Sequence, residues 1–491
     1  MGIGMFMAIL DVQVVATSLP TIQAALHVPP NQMSWIQTAY LVAEIIAIPL
    51  TAFLTRLLSM RWLFVGAITT FVLASAGCAA SHTFTELIAW RVLQGFSGGT
   101  LIPAVFSAVF LLFPPRLEGI ATTIAGVLAL LAPTLGPIVG GWITHTYSWR
   151  WLFLINLLPG LASAAGAAFL LPREKPNLSE ARRLDMISLA LLAVALASLE
   201  VALKQAPKLG WVSVLVVALL ALTAVCLLAF AHRTLGAAHP VVALRRLGDR
   251  NFAVGCLLSF ILGVGVFGSV YMMPVFLALV RGHDSLEIGE IMLVTGIAQL
   301  ATAPIAVALE RRIDARLLAG AGFAVFGLGL ALSATQTGDT DFRQMIVPQI
   351  VRGSAVMFCL LPPTRLALGH LPLLEVPDGS ALFNLMRNLG GAIGLALIDT
   401  VIYGRSPVHA KAIIASLQNG DLATAKAVGI PPDLFLGQHG PIDAATRAML
   451  EPMVQSLALV RAINEAWALS AAITFCALIV LPFARRPAPP I

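Results

Sequence analysis

Apolar runs of about 20 residues, the length that crosses a bilayer, recur along the whole chain between short polar or proline-rich punctuation. Spans 1 to 6 fall near 3–25, 33–57, 62–81, 85–113, 118–143 and 150–171. Two more lie near 186–205 and 211–232, and six near 252–280, 287–309, 315–335, 343–370, 378–403 and 456–483. Each boundary carries a margin of ~4 residues. The pattern predicts an all-α polytopic membrane protein with 14 transmembrane helices, grouped six, two and six. Composition agrees: 58% of residues are hydrophobic and 11% charged, with a mean hydropathy of +0.91, whereas a soluble chain is ~25% charged.

The net charge of +6 does not point to nucleic acid, because charges confined to short loops cannot form a basic patch on a folded face. It has a topological meaning instead. Alternate loops carry Arg56, Arg61, Arg116, Arg173, Arg183, Arg233, Arg250, Arg316, Arg365 and Arg485, and are roughly threefold richer in Lys and Arg than the loops holding Arg150, Lys204, Lys208, Arg281 and Arg343. The richer set is read as cytoplasmic, which puts both termini there and the chain in a bacterial inner membrane. The chain opens Met-Gly-Ile-Gly directly into an apolar run, without a basic segment or cleavage site, so span 1 is read as retained and the start as slightly late. Five scattered cysteines show neither metal-site nor redox spacing.

The chain also repeats itself. Pro49, Leu54, Arg56, Arg61 and Leu63 match Pro304, Leu309, Arg311, Arg316 and Leu318 at a spacing of 255 residues. At a spacing of 254, Gly136, Gly140 and Pro20 fall on Gly390, Gly394 and Pro274. Span n therefore corresponds to span n+8, which requires two six-helix bundles in the same orientation with two helices inserted between them. The domains are then 1–172, 173–250 and 251–491, the last including a long extramembrane loop at 404–455.

Charges inside apolar runs are costly and mark function or structure. Span 4 carries Arg91, followed by Gln94, Gly95 and Gly99; the arginine either needs a buried partner or snorkels to the surface. Asp11 in span 1 and Glu44 midway along span 2 are candidate proton carriers, since an unpaired carboxylate in a low-dielectric site can take and release a proton near neutral pH. The alternative is a structural carboxylate bonded to a neighbouring helix. Span 5 reads Pro133-Thr134-Leu135-Gly136-Pro137-Ile138-Val139-Gly140-Gly141, predicting a kinked, closely packed helix. Arg352, Arg387 and Asp399 are further intramembrane candidates, and Glu200 with Lys204 reads as a local i, i+4 ion pair. The run Gly263-Val264-Gly265-Val266-Phe267-Gly268 matches a dinucleotide fingerprint only in letters, since it lies within a span rather than between strand and helix.

These motifs together resemble the major facilitator superfamily, and within it the fourteen-helix drug:proton antiporters of the EmrB/QacA type, along essentially the whole chain. Leu10, Asp11, Val14, Val15, Leu19 and Pro20 resemble that branch's span 1 signature; Arg91, Gln94 and Gly95 the span 4 motif associated with proton coupling; Gly136, Pro137, Gly140 and Gly141 the span 5 motif typical of exporters. The resemblance implies export of small hydrophobic compounds by alternating access, driven by the proton gradient without a cofactor, from a transporter rather than an enzyme. Asp11, Glu44 and Arg91 are the implied coupling residues. In Gram-negative members a periplasmic adaptor, a membrane fusion protein, and an outer-membrane channel often join the permease, and the 404–455 loop invites such a partner. The gating loop between spans 2 and 3 departs from the family: Ala52, Arg56 and Ser59 replace a glycine, an aspartate and a glycine. Arg56 and Arg61 remain, and Asp314 of the repeat loop is the expected replacement carboxylate. Two alternatives are export of a dedicated metabolite or siderophore, and a transport-inactive receptor or scaffold on the same fold.

Overall fold

The computed structural model describes residues 1–27, 32–33, 35–174, 176–177, 185–237, 240, 242–310, 312–430 and 444–485. Its helices are α1 Gly2–Ala25, α2 Trp35–Ala80, α3 Phe84–Leu112, α4 Pro115–Thr146, α5 Trp151–Leu154, α6 Leu157–Leu170, α7 Met186–Leu209, α8 Val214–Gly236, α9 Arg250–Phe276, α10 Ser285–Glu310, α11 Ala315–Leu332, α12 Phe342–Leu368, α13 Val376–Gln418, α14 Leu422–Val428 and α15 Ala444–Val480. Among the described residues, 12 stretches are long and apolar enough to cross a membrane. The 46-residue α2 is two spans, and α1 adds the remaining crossing, which gives the fourteen expected from the pattern.

Several helix starts are fixed by side-chain caps that satisfy otherwise unpaired N–H groups. Thr83 and Glu86 form a capping box at α3, Asp341 and Gln344 another at α12, and Asp185 accepts from the Ile187 and Ser188 amides at α7. The bend in α2 sits at Ser59, with φ 70 and ψ 159. This is backbone that glycine adopts freely and serine only under strain, so the glycine expected from the family resemblance has a conformational cause.

The internal repeat is visible in the packing. α1 lies against α4 as α9 lies against α13, and the contacts between halves, α2 with α13 and α4 with α10, exchange under the same relation. Close approach is set by glycines: a Cβ on Gly390 would lie 2.0 Å from the Phe260 carbonyl oxygen. Gly263 meets the Arg387 carbonyl in the same way, so the fingerprint-like run is a helix-packing surface. The inserted α7 packs on both α2 and α13, across the seam between the halves, while much of α8 is exposed apolar surface that faces lipid. α4 runs unbroken through Pro133 and Pro137.

One expectation is corrected. The stretch 404–455 is largely helix rather than loop: α13 continues to Gln418, α14 follows, and α15 begins at Ala444. Ile413, Leu417, Val428 and Val454 close a small apolar core there. The stretch read as loop continues the flanking helices, whose apolar stripe packs on itself, and Pro407 lies within α13 without ending it. Residues 431–443 lie outside the described residues.

Candidate functional site

The capping box at Thr83 and Glu86 starts α3 two turns before Arg91, which carries the arginine about 12 Å inward at 1.5 Å per residue. Gly95 lets α3 lie directly on α2, since a Cβ there would be 2.2 Å from the Tyr40 carbonyl oxygen. The approach places Tyr40 under the Arg91 guanidinium, 4.3 Å from carbon to ring centroid. Arg91 is wholly buried and does not snorkel. It donates from Nε to the Ile36 carbonyl at 3.1 Å, and from Nη1 to Asp11 Oδ2 at 2.5 Å and Gln94 Oε1 at 2.7 Å.

Asp11, equally buried, also accepts from Gln94 Nε2 at 2.9 Å and Asn156 Nδ2 at 2.8 Å through Oδ1. Ser75 Oγ accepts from Gln94 at 2.8 Å and from Asn156 at 3.4 Å. Spans 1, 2, 3, 4 and 6 of the N-terminal half therefore converge on one buried ion pair. Ser75 and Asn156 escaped the sequence reading. Asn156 had a signal, as the lone amide in the apolar run of span 6; Ser75, a common residue in membrane helices, had none.

Glu44 is buried on α2 and makes no hydrogen bond among the described residues. Its charge couples to Glu200 on α7, and also to Arg91 and Asp11. Lys204, one turn beyond Glu200, donates to Thr38 Oγ1 on α2 and lies within electrostatic reach of Asp399 on α13. Asp399 in turn accepts from the Tyr271 hydroxyl at 2.7 Å, and Trp211 Nε1 donates to Thr400 Oγ1 at 2.9 Å. The Glu200 and Lys204 pair is thus not purely local: α7 turns its polar face into the seam between the halves.

On the face that carries the termini, Arg56 Nη1 donates to both carboxylate oxygens of Asp378 at the start of α13, at 2.8 and 2.6 Å. Ser380 Oγ donates to the Pro103 carbonyl at 2.9 Å beside it, a second contact between halves. Asp314 does not take the expected place opposite Arg56. It caps α11 through the Arg316 amide and pairs with the Arg316 side chain at 2.9 Å. Arg61 reaches the Leu171 carbonyl at 3.5 Å and lies 5.5 Å from the Trp62 ring.

The span 5 motif packs α4 on α1. A Cβ on Gly136 would be 2.3 Å from Gln13 Cβ, and the Gly140 carbonyl accepts from Thr144 at 2.7 Å. Gly141 is half-buried on the same helix, and the Pro137 side chain lies outside the described residues. Arg387 of α13 is buried, donates to Asn384 Oδ1 at 2.5 Å, and lies 5.3 Å from the Phe106 ring of the other half. Arg352 is buried away from all of these, within the C-terminal half.

Residues 1–395 match the sequence profile of the Major Facilitator Superfamily. The chain belongs to that superfamily. It is 36% identical over 417 residues to the colistin resistance protein EmrB of Acinetobacter baumannii, covering 84% of this chain and 81% of that protein. It is 31% identical over 413 residues to the multidrug export protein EmrB of Escherichia coli strain K12, covering 83% and 80%. Among solved structures, the human organic anion transporter MFSD10 aligns with a TM-score of 0.62 at 15% identity, over 98% of this chain and 97% of that one, a likeness of fold. The chain is thus a multi-pass secondary transporter of the superfamily rather than an enzyme, and the buried cluster sits in its N-terminal half.

Proposed function

We propose that this superfamily member is a proton-driven exporter of small hydrophobic or amphipathic compounds, with coupling carried by Asp11, Glu44 and Arg91. The supporting observation is the cluster itself: a fully buried ion pair beside a buried carboxylate, Glu44, that has no hydrogen-bond partner among the described residues. Protonating Asp11 cancels the charge that holds Arg91 in place and frees the guanidinium to act on Glu44, so one proton can change the packing of α1, α2 and α3 together. Glu200 and Lys204 link this event to α13 of the other half. A proton entering down a 100 mV potential releases about 2.3 kcal/mol, enough for a roughly 50-fold concentration ratio.

In this reading the termini are cytoplasmic, the membrane is the inner membrane, and bundles 1–172 and 251–491 rock against each other around 173–250. Arg56 with Asp378 closes the cytoplasmic side. That contact puts a carboxylate opposite Arg56, which supports a gated transporter over a transport-inactive scaffold. The names of the two EmrB relatives favour drug-like cargo over a dedicated metabolite. The helical extension built by α13, α14 and α15 is the surface on which an adaptor would dock.

The test is dye efflux from everted vesicles under an imposed pH gradient, comparing the unaltered protein with Glu44→Gln, Asp11→Asn and Arg91→Ala at matched folded protein. Gradient-dependent efflux that collapses in the carboxylate variants is expected. Efflux indifferent to the gradient, or unchanged in both variants, would overturn the coupling scheme.

A further inference from the structure

Span 4 of one half and the matching span 12 of the other each carry a buried arginine, and the two have opposite surroundings. Arg91 has Asp11. Arg352, on α12, is 3% exposed and has no carboxylate within ion-pair or electrostatic reach among the described residues. Its Nη2 donates to Thr295 Oγ1 at 3.2 Å and touches Met273 Sδ at 3.6 Å, and the guanidinium lies 5.3 Å from the Trp467 ring. Its Nε has no partner. A buried guanidinium lacking a counter-ion is a costly arrangement that a second charge relieves.

A cavity of about 310 Å³ adjoins it, bounded by Gln336, Thr340, Gln349, Arg352 and Trp467 among others. Two further buried donors on its wall are unsatisfied, Gln349 Nε2 and Trp467 Nε1, and so is one acceptor, Gln336 Oε1, whose amide can turn its N–H₂ end to an anion. The Gln349 amide is oriented by the Thr295 hydroxyl, which donates to Oε1 at 2.9 Å and so leaves the N–H₂ end free. One fixed positive charge and three unpaired donors lie in the wall of this small cavity, a set that a planar oxyanion seated against that wall would satisfy. The space equals about ten water volumes, which suits a small carboxylate rather than a lipid-sized one. The cavity lies where α11 ends and α12 begins, at the membrane face remote from Arg56 and Asp378.

We propose that this cavity is a binding site for small monoanionic carboxylates, entered from the face opposite the termini, and that the bound anion supplies the counter-ion that the sequence gives Arg91 but withholds from Arg352. The site is separate from the Asp11 and Arg91 cluster and does not rest on proton coupling.

Benzoate is a suitable probe and benzamide its neutral isostere. Purified protein in chloride-free nanodiscs is titrated with each, following heat of binding and melting temperature. Saturable benzoate binding with no benzamide response is expected, lost in Arg352→Gln and kept in Arg387→Gln, whose arginine lies elsewhere. Equal response to both probes, no response to either, or benzoate binding that survives Arg352→Gln overturns the proposal. Should Arg352→Gln fail to fold, Trp467→Phe removes one donor while keeping an aromatic ring. It is expected to weaken benzoate binding about 10-fold, the usual effect of losing a hydrogen bond to a charged group, and unchanged affinity overturns the site.

Discussion

Arg91→Met keeps the length and apolar stem of the side chain while deleting the guanidinium. Asp11 is left with the Gln94 and Asn156 amides and no positive charge, at a site where both partners' side chains have 0% exposure. Removing one partner of a buried pair costs about 3–5 kcal/mol, most of it the desolvation of the charge left behind. Asp11→Asn strands Arg91 in the same way and should cost a similar amount. The double substitution leaves no buried charge, so its cost should fall short of the sum of the singles by about 2–3 kcal/mol. Reversible unfolding in bicelles, by steric trapping or detergent titration, closes this cycle. Additivity within about 0.5 kcal/mol, the behaviour of independent sites, would refute the claim that the two are held as a mutually compensating pair.

The contact between Arg56 and Asp378 is partly exposed and worth about 1 kcal/mol, which is roughly fivefold in a two-state equilibrium. Arg56→Glu and Asp378→Arg should each open the terminal face by that factor in spin-label distance measurements, and the charge-swapped double variant should close it; unchanged distance distributions in both singles would count against a latch. Ser59→Gly should stabilise the protein, because relief of about 1–3 kcal/mol of backbone strain exceeds the roughly 1 kcal/mol of extra chain entropy; a lower unfolding free energy would contradict the strain. At the far face, the hydrogen bond from Arg281, with the Phe342 amide, holds Asp341 down to about 2. Burial pulls His283 downward, but its bonds to Glu287 and Asp341 outweigh this and raise it above its ordinary 6.5. The sign differs between the two. Asp341 loses its contribution as pH falls from about 4 toward about 2, whereas His283 contributes fully below 6.5 and loses its part as pH rises through its raised value. Protection factors around His283, with the intrinsic pH dependence of amide exchange divided out, should therefore be highest between those limits, with Asp341→Asn flattening the acid limb and His283→Gln the alkaline one; identical profiles in the variants would exclude the scheme.

The crossings, the grouping into six, two and six, and the repeat were legible because bilayer thickness sets span length and because an internal duplication leaves fixed offsets between matching residues. Asp11, Glu44 and Arg91 stood out for a related reason, since a charge in an apolar run is rare whatever it does. The failures all concern neighbours. Nothing along the chain says that Asn156 meets Asp11, that Asp378 rather than Asp314 meets Arg56, or that Lys204 reaches across to Thr38. In a soluble helix the apolar stripe points to the core, but in lipid the outside is as apolar as the inside, so periodicity does not say which face is buried or against what. The same limit explains α13, whose apolar turns past Tyr403 pack on α14 and α15 instead of meeting lipid. Most telling are the two arginines of spans 4 and 12, alike as intramembrane charges in matching spans: Arg91 has a carboxylate beside it and Arg352 a cavity. The sequence alone determined that each half carries an arginine within an apolar span; only the packing of helices distant in the chain decided that each is buried and what it faces.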